Sequence, residues 1–383
     1  MNRNQIFKIY GKDYKEMTKS LLEVSELASM LDAETRIGIK PNLVTPTPAE
    51  YGATTHPEVV AGIIEYLQEN GCYHIVIIES SWIGDKTSEA YEYCGYREIT
   101  EKYNVDFIDV QQEPYKVYDC SGMKLKICNR VEEIDFMINV PVMKGHGQTR
   151  MTCALKNMKG LIPNVEKRHF HTMGLHKPIA HLSAGIRQDF IVADHICGDL
   201  ELEDGGNPVE TNCVMTALDP VLLDSYVCHL LGYDTSEVEY IGLAQMLGCG
   251  SADLESCRIA IYDRAESGKI RLDREFPALG QDDYKEAGCH TRNLLEVSYA
   301  IEDADSCSAC YASLAPALLR LKKEGLYESL LENLRGTICI GQGFQGKRGN
   351  LGVGNCCREF DQYVPGCPPE EEAVYRMLLK YVT

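Results

Sequence analysis

Short runs of β-branched and apolar residues alternate along the chain with longer stretches whose apolar positions recur at helical spacing. That alternation predicts an α/β protein with an open, mostly parallel sheet and flanking helices. Strands are expected at residues 35–40, 73–79, 105–110, 135–140, 190–194, 258–263 and 337–341. Helices are expected at 57–70, 149–159, 219–231, 238–247, 317–324 and 370–381. The first helix is punctuated at both ends, since Pro57 suits the first turn and Gly71 suits the position just past the last. A loop with Ser80, Ser81, Gly84 and Asp85 follows the second strand.

With 383 residues and 44% hydrophobic side chains, the chain can bury a large core and divide into more than one unit. Cysteine and glycine become dense near residue 304, which places a boundary between an α/β domain at 1–303 and a small α/β module at 304–383. Thirty-eight basic residues against 57 acidic ones give a net charge of −19, which argues against nucleic acid or an anionic membrane as partner. Residues 1–16 are polar with no apolar leader core. The apolar run 136–143 falls far short of the roughly 20 residues of a membrane helix. A soluble, cytoplasmic protein is expected, and its seventeen cysteines, scattered singly through apolar runs, read as reduced thiols.

Six of those cysteines fall in the last 77 residues: Cys307, Cys310, Cys339, Cys356, Cys357 and Cys367. Cys307-Ser-Ala-Cys310 puts two thiols within one turn. Cys356 and Cys357 lie in a glycine-rich loop that can aim backbone amides at a sulfur. Gly366-Cys367-Pro-Pro fixes one further thiol in a turn. Cys307, Cys310, Cys356 and Cys367 are therefore the expected ligands of a 4Fe-4S cluster, with Cys356 preferred over Cys357. Structural zinc would use the same ligands. The Gly-Cys-Pro-Pro turn resembles the cluster-binding turn of nickel-iron hydrogenase small subunits and the related complex I subunit, which implies iron-sulfur.

Between Lys144 and Arg187 the chain carries eight basic residues and one acid, Glu166, so the local charge reverses. Five of the ten histidines lie there too. The stretch opens directly after a predicted strand, where open α/β sheets place ligands. An anion site is expected, lined by Lys144, His146, Thr149, Lys156, Asn157 and Lys159, with Lys40 and Asn42 as second contributors. Thr149 or Thr152 is the expected cap of the helix that follows, whose N-terminus favours an anion. His169-Phe-His171 is an alternative metal site.

Lys40-Pro-Asn-Leu-Val44, Thr55-His-Pro57, Val140-Pro-Val-Met-Lys144-Gly-His146 and Leu155-Lys-Asn-Met-Lys-Gly160 together resemble the domain-of-unknown-function 362 family, over most of residues 35–230. Asp194-His-Ile-Cys-Gly198 with Asp204-Gly-Gly-Asn-Pro208 looks like a diverged form of that family's later glycine-rich loop. Members often carry an iron-sulfur module, so the resemblance implies a cytoplasmic iron-sulfur protein and leaves the reaction open.

Three functions compete at this point. One is a redox enzyme or electron-transfer protein acting on a small anionic substrate, with Lys144, His146 and Lys156 as catalytic candidates and a redox protein as partner. Another is a non-redox, lyase-like or desulfidase-like enzyme with an open iron. The third is a protein that carries a cluster or anionic cofactor without turnover. Four cysteines favour the first over the second, because a saturated cluster leaves no vacant iron. The chain has no Gly-x-Gly-x-x-Gly turn after a strand, no P-loop and no Gly-x-Ser-x-Gly elbow, which argues against NAD, ATP and a serine hydrolase. Flavin stays open, and so does oligomeric state, with a homodimer compatible.

Overall fold

The computed structural model describes residues 1–265, 268–279, 293–334 and 336–382. In chain order the strands begin with β1 (Gln5–Tyr10), β2 (Ile37–Lys40), β3 (Ile75–Glu79) and β4 (Asp106–Asp109). A hairpin of β5 (Tyr115–Cys120) and β6 (Met123–Cys128) precedes β7 (Phe136–Asn139), and a second of β8 (Lys144–His146) and β9 (Arg150–Thr152) follows it. Then come β10 (Phe190–Asp199), β11 (Pro208–Ala217), β12 (Arg258–Arg264) and β13 (Ile270–Pro277).

Nine of these form one sheet in the order β13-β12-β1-β11-β10-β7-β2-β3-β4. Five of its eight pairings are parallel, and antiparallel β11 lies between β1 and β10. The fold is thus mixed α/β with a large, mostly parallel sheet and flanking helices. β2 is buried at every position, as expected of a strand covered on both faces. The helix Pro57–Glu69 begins on proline, and Gly71 just beyond it takes φ +84°, so both ends form where the punctuation placed them.

The chain moves outward from β2 through β3 to β4 in one direction, and through β7 to β10 in the other. The crevice outside the carboxyl ends of β2 and β7 is therefore a topological switch point, the usual place for a ligand in an open α/β sheet.

A second sheet is built from β14 (Ile301–Asp303), β15 (Ile338–Ile340), β16 (Leu351–Val353) and β17 (Gln362–Val364), all parallel. It has its own apolar core, with Leu314, Leu318, Ile338, Ile340, Val353 and Val374 buried together. The helices Ser308–Lys323 and Glu371–Leu379 contribute to that core. Cys307 follows the carboxyl end of β14, Cys356 that of β16, and Cys367 that of β17.

One expected element is replaced. Residues 149–159 do not form a helix; they divide into β9, a single turn Ala154–Asn157 and a 3-10 turn Met158–Leu161. Neither Thr149 nor Thr152 caps that turn. Thr149 Oγ1 donates to Met151 O at 3.1 Å, and the turn's first amides, Ala154 N and Leu155 N, donate to Asp224 on the helix Pro220–Leu230. Asp224 thus supplies from another helix the acceptors that these first amides need.

Candidate functional site

Lys40 ends β2 and Glu79 ends the adjacent β3, and their side chains meet at 2.6 Å in a buried ion pair. Glu79 also accepts from Leu43 N and Ser80 N, and Lys40 donates to Pro41 O and Asn157 Oδ1. Gly160 permits this closeness, because a Cβ there would sit 1.7 Å from Glu79 Oε1. Asn157 knits the switch point together: its amide donates to Lys40 O and Asn139 Oδ1, and its carbonyl accepts from Asn42 Nδ2.

The hairpin β8–β9 presents one face to the crevice. Lys144 pairs across from Thr152, and His146 lies two residues on, so the three share a side of the ribbon. Gly145 between them has no room for a side chain, since its Cβ would lie 2.3 Å from the Leu200 backbone. That close approach brings the Leu200–Asp204 segment in, and Lys144 Nζ donates to Glu203 O at 2.7 Å, to Asn42 Oδ1 at 3.2 Å and to Ala53 O.

Two further pairs complete the positive wall. Lys156 and Lys159 are three apart on the tight turns after β9, and Lys167 and His171 are four apart on the helix Asn164–Thr172. All four line one cavity of about 80 Å³, with Asn42, Glu79, Lys144, His146, Thr152, Asn157 and Glu203. Its remaining wall is Val44, Ser80, Trp82, Ile83 and Gly160 from the sheet domain, and Cys307, Ser308 and Ala309 from the cysteine module. The carboxyl ends of β2 and β3 in the mixed sheet and of β14 in the parallel one therefore contribute to the same small space.

Burial dominates the electrostatics here. It holds Lys144 and Lys159 down to about 8 and Lys167 to about 7, against acids that pull them back up. Lys156 is likewise held well below its ordinary value, by burial and then by Lys159. Glu203 is raised by burial, with Lys156 opposing. His146 and His171 are both held well below their ordinary value, so both rings are neutral.

The lysines differ in what they already hold. Lys167 Nζ donates to Ser80 O, Ser80 Oγ and Ser81 O, and Lys144 is similarly occupied. Among the described residues Lys156 has a single hydrogen-bond partner, Thr152 Oγ1 at 3.3 Å. Lys159 makes no hydrogen bond or ion pair among the described residues, and its ammonium lies 5.9 Å over the Phe170 ring. An anion entering this cavity meets Lys156 and Lys159 as its available cations.

Lys40 and Thr149 lie off the lining, because Glu79 occupies the first and a local backbone carbonyl the second. His169 and His171 do not act as a pair: the first is exposed beside Glu166, the second buried in the cavity wall. Glu203, Lys167, His171, Trp82 and Ser308 join the lining from outside the expected set.

At the cysteine edge, Cys310 N donates to Cys307 O across the first turn of the helix Ser308–Lys323. The loops carrying Cys356 and Cys367 are tied in both directions, with Asn355 N donating to Gly366 O and Gly366 N to Asn355 Oδ1. Gly354 (φ +87°) passes so close that a Cβ would lie 3.6 Å from Cys310 Sγ. Burial raises the Cys307 thiol to about 11, with Cys367 and Cys356 adding to it. Cys310 is raised further by burial, then by Cys307, Cys367 and Cys356. Cys357 instead turns inward, buried with Phe344 and Phe360, and donates to Cys339 O. Among the described residues no three His, Cys, Asp or Glu side chains are grouped as a single metal ion would need.

Residues 37–229 match the model of the family described as a domain of unknown function, DUF362. The chain belongs to the DUF362 family. In this DUF362 protein the matched span holds every lysine of the cavity and Glu203, while the four cysteines lie beyond it. The thylakoid-associated protein sll1697 of Synechocystis sp. (strain ATCC 27184 / PCC 6803 / Kazusa) is 25% identical over 244 residues, covering 60% of this chain and 74% of that protein. Among solved structures, the lactate racemase apoprotein from Thermoanaerobacterium thermosaccharolyticum matches at a TM-score of 0.40 and 14% identity, over 61% of this chain and 57% of that one. A Thermotoga maritima protein matches at 0.31 and 14%, over 78% and 62%. The DUF362 chain thus spans less than two thirds of either solved protein. Among the described residues no helix is long and apolar enough to cross a membrane.

Proposed function

We propose that this DUF362 protein is a cytoplasmic iron-sulfur protein that binds a small anion beside its cluster and exchanges electrons with it. One observation carries the reading: Lys156 and Lys159 line the same cavity as Cys307. A cationic pocket alone supports an anion site; Cys307 in its wall supports an electron carrier beside that anion.

The donor set supports a cluster. Cys356 and Cys367 both add to the raised thiols of Cys307 and Cys310, so the four sulfurs lie within electrostatic reach of one another. A 4Fe-4S cluster takes one thiolate at each of four separated corners. When bound, it supplies one-electron transfer. Gln345 Nε2 lies 3.5 Å from Cys356 Sγ and donates to it, the kind of contact that tunes such a site. Cys367 is exposed, which leaves that edge open to a redox protein partner.

The chain's own residues would bind and protonate. Lys156 and Lys159 attract the anion, and Lys144 and Lys167 are held in the wall by fixed carbonyl and hydroxyl partners. His146 is oriented by Gln148 N and Thr149 N, both donating to its Nδ1, so its proton sits on Nε2, 3.4 Å from Ser308 Oγ and 3.3 Å from Glu203 Oε1. Val44, Trp82 and Ile83 shield the anion from bulk water.

Anaerobically purified protein should contain about four iron and four labile sulfide per chain, and glycolate should perturb its visible spectrum. Lys159→Met should weaken that anion by about 1.5–3 kcal/mol, the loss of a charged hydrogen bond. Stoichiometric zinc without sulfide would sink the redox reading.

A further inference from the structure

The cavity holds two kinds of unmet demand. Lys156 and Lys159 have donors to spare, which calls for an anion. Two buried atoms on the same lining call for the opposite. Among the described residues Glu203 Oε1 has no hydrogen-bond partner; His146 Nε2 lies 3.3 Å away but out of line. His171 Nδ1 is likewise unpartnered. Burial keeps the His171 ring neutral and the nearby Ser306 backbone favours a proton on it; with that proton on Nε2, the unpartnered Nδ1 is an acceptor. Buried acceptors left unpaired are costly, and a ligand that satisfies them gains what one lacking a donor forfeits.

Resting on the anion-site reading above, we propose that the cavity selects a small oxyanion that also carries an O–H, such as hydrogen phosphate or a hydroxycarboxylate, with Glu203 and His171 receiving that proton's hydrogen bond. Lys156 and Lys159 take the ionised oxygens; the Glu203 carboxylate and the His171 Nδ1 lone pair take the hydroxyl. The cavity, about 80 Å³, has room for an anion of this size. Sulfate and acetate match the charge but bring no hydrogen, and each would set its own oxygens against the two acceptors. Glu203 is thus a specificity-determining residue.

The test is calorimetric titration of the anaerobically purified full chain near neutral pH with inorganic phosphate, sulfate, glycolate and acetate. Phosphate should bind at least about tenfold tighter than sulfate, and glycolate than acetate. Whichever of phosphate and glycolate binds better identifies the source of the hydroxyl. Glu203→Gln places an amide donor at the acceptor position and should narrow or invert the phosphate-to-sulfate preference. The comparison within wild-type protein needs no variant, so a misfolded E203Q leaves the test intact. Equal binding of all four anions would overturn the selection by hydroxyl while leaving an anion cavity in place. No binding of any would overturn both.

Discussion

Lys40 Nζ stands 2.6 Å from Glu79 Oε2, with both side chains buried, and the pair joins the carboxyl ends of two adjacent strands directly behind the cavity. The lysine at the end of the first matched strand is therefore a foundation of the site and not its lining. Removing one partner would leave the other charge buried and unpaired. Lys40→Met should destabilise the fold by about 3–5 kcal/mol, read as a lower denaturant midpoint at unchanged slope. A loss under about 1 kcal/mol would show that Glu79 is neutral or rehydrated in the variant.

Gly160 belongs to the same foundation. A methyl group there would lie 1.7 Å from Glu79 Oε1 and 2.6 Å from Lys40 Nζ, so Gly160→Ala must displace the ion pair. Overpacking of this kind costs about 1–3 kcal/mol or more. Gly242, exposed in the helix Glu239–Met246 with nothing within 4 Å of its Cβ position, gives the contrast. Gly242→Ala should raise stability by about 0.5–1 kcal/mol through helix propensity alone. Thermal melts of the two variants should move in opposite directions.

The part of the sheet from β10 to β4 was legible because its strands are short apolar runs, such as Ile75–Glu79, separated by a helix with proline and glycine at its ends, whereas β1, β11 and β13 were not read. Of the cysteine module's strands β15 was read, at 337–341, whereas β14, β16 and β17, of three residues each, were not. The cluster of positive charge between Lys144 and Arg187 pointed to the cavity, yet its apolar spacing suggested a helix where a hairpin forms. Charge alone could not separate Lys156 and Lys159, which keep free donors, from Lys40, which Glu79 consumes. Glu203 was hidden because its place depends on Gly145 letting the Leu200 backbone approach, a tertiary contact with no local signature.

Cys356 and Cys357 are neighbours with opposite surroundings. Cys356 belongs with Cys307, Cys310 and Cys367, whereas Cys357 packs between Phe344 and Phe360. Cys356→Ser should lower iron and sulfide content and bleach the visible absorption of anaerobic protein. Cys357→Ala should keep both, at a modest cost in melting temperature from the vacated core volume. Iron lost from the second variant and retained in the first would reverse the assignment.

Affinity for the anion should depend on pH in a direction fixed by the lysines. Burial holds Lys144 and Lys159 at about 8 and Lys167 at about 7, below the ordinary lysine value, so each loses its charge as pH rises through that range. A bound carboxylate favours the ammonium form and lifts these values, so binding near pH 8 takes up protons. Asp204 adds to the effect with the same sign: burial and then Glu203 hold it up to about 8, and its ionisation in that window opposes an anion. Glycolate suits the measurement because its carboxylate stays ionised throughout. Its affinity should be level below about pH 6 and fall steadily from pH 7 to 9. Titrations at pH 8 in two buffers of different ionisation enthalpy should reveal the proton uptake directly. For the ligand-free fold the lysine contribution has the opposite slope: their depressed values destabilise it at low pH, and that penalty is relieved as pH rises above 8 toward the unfolded value. Glycolate affinity that is constant from pH 7 to 9, with no proton uptake, would mean that the anion does not touch these ammonium groups.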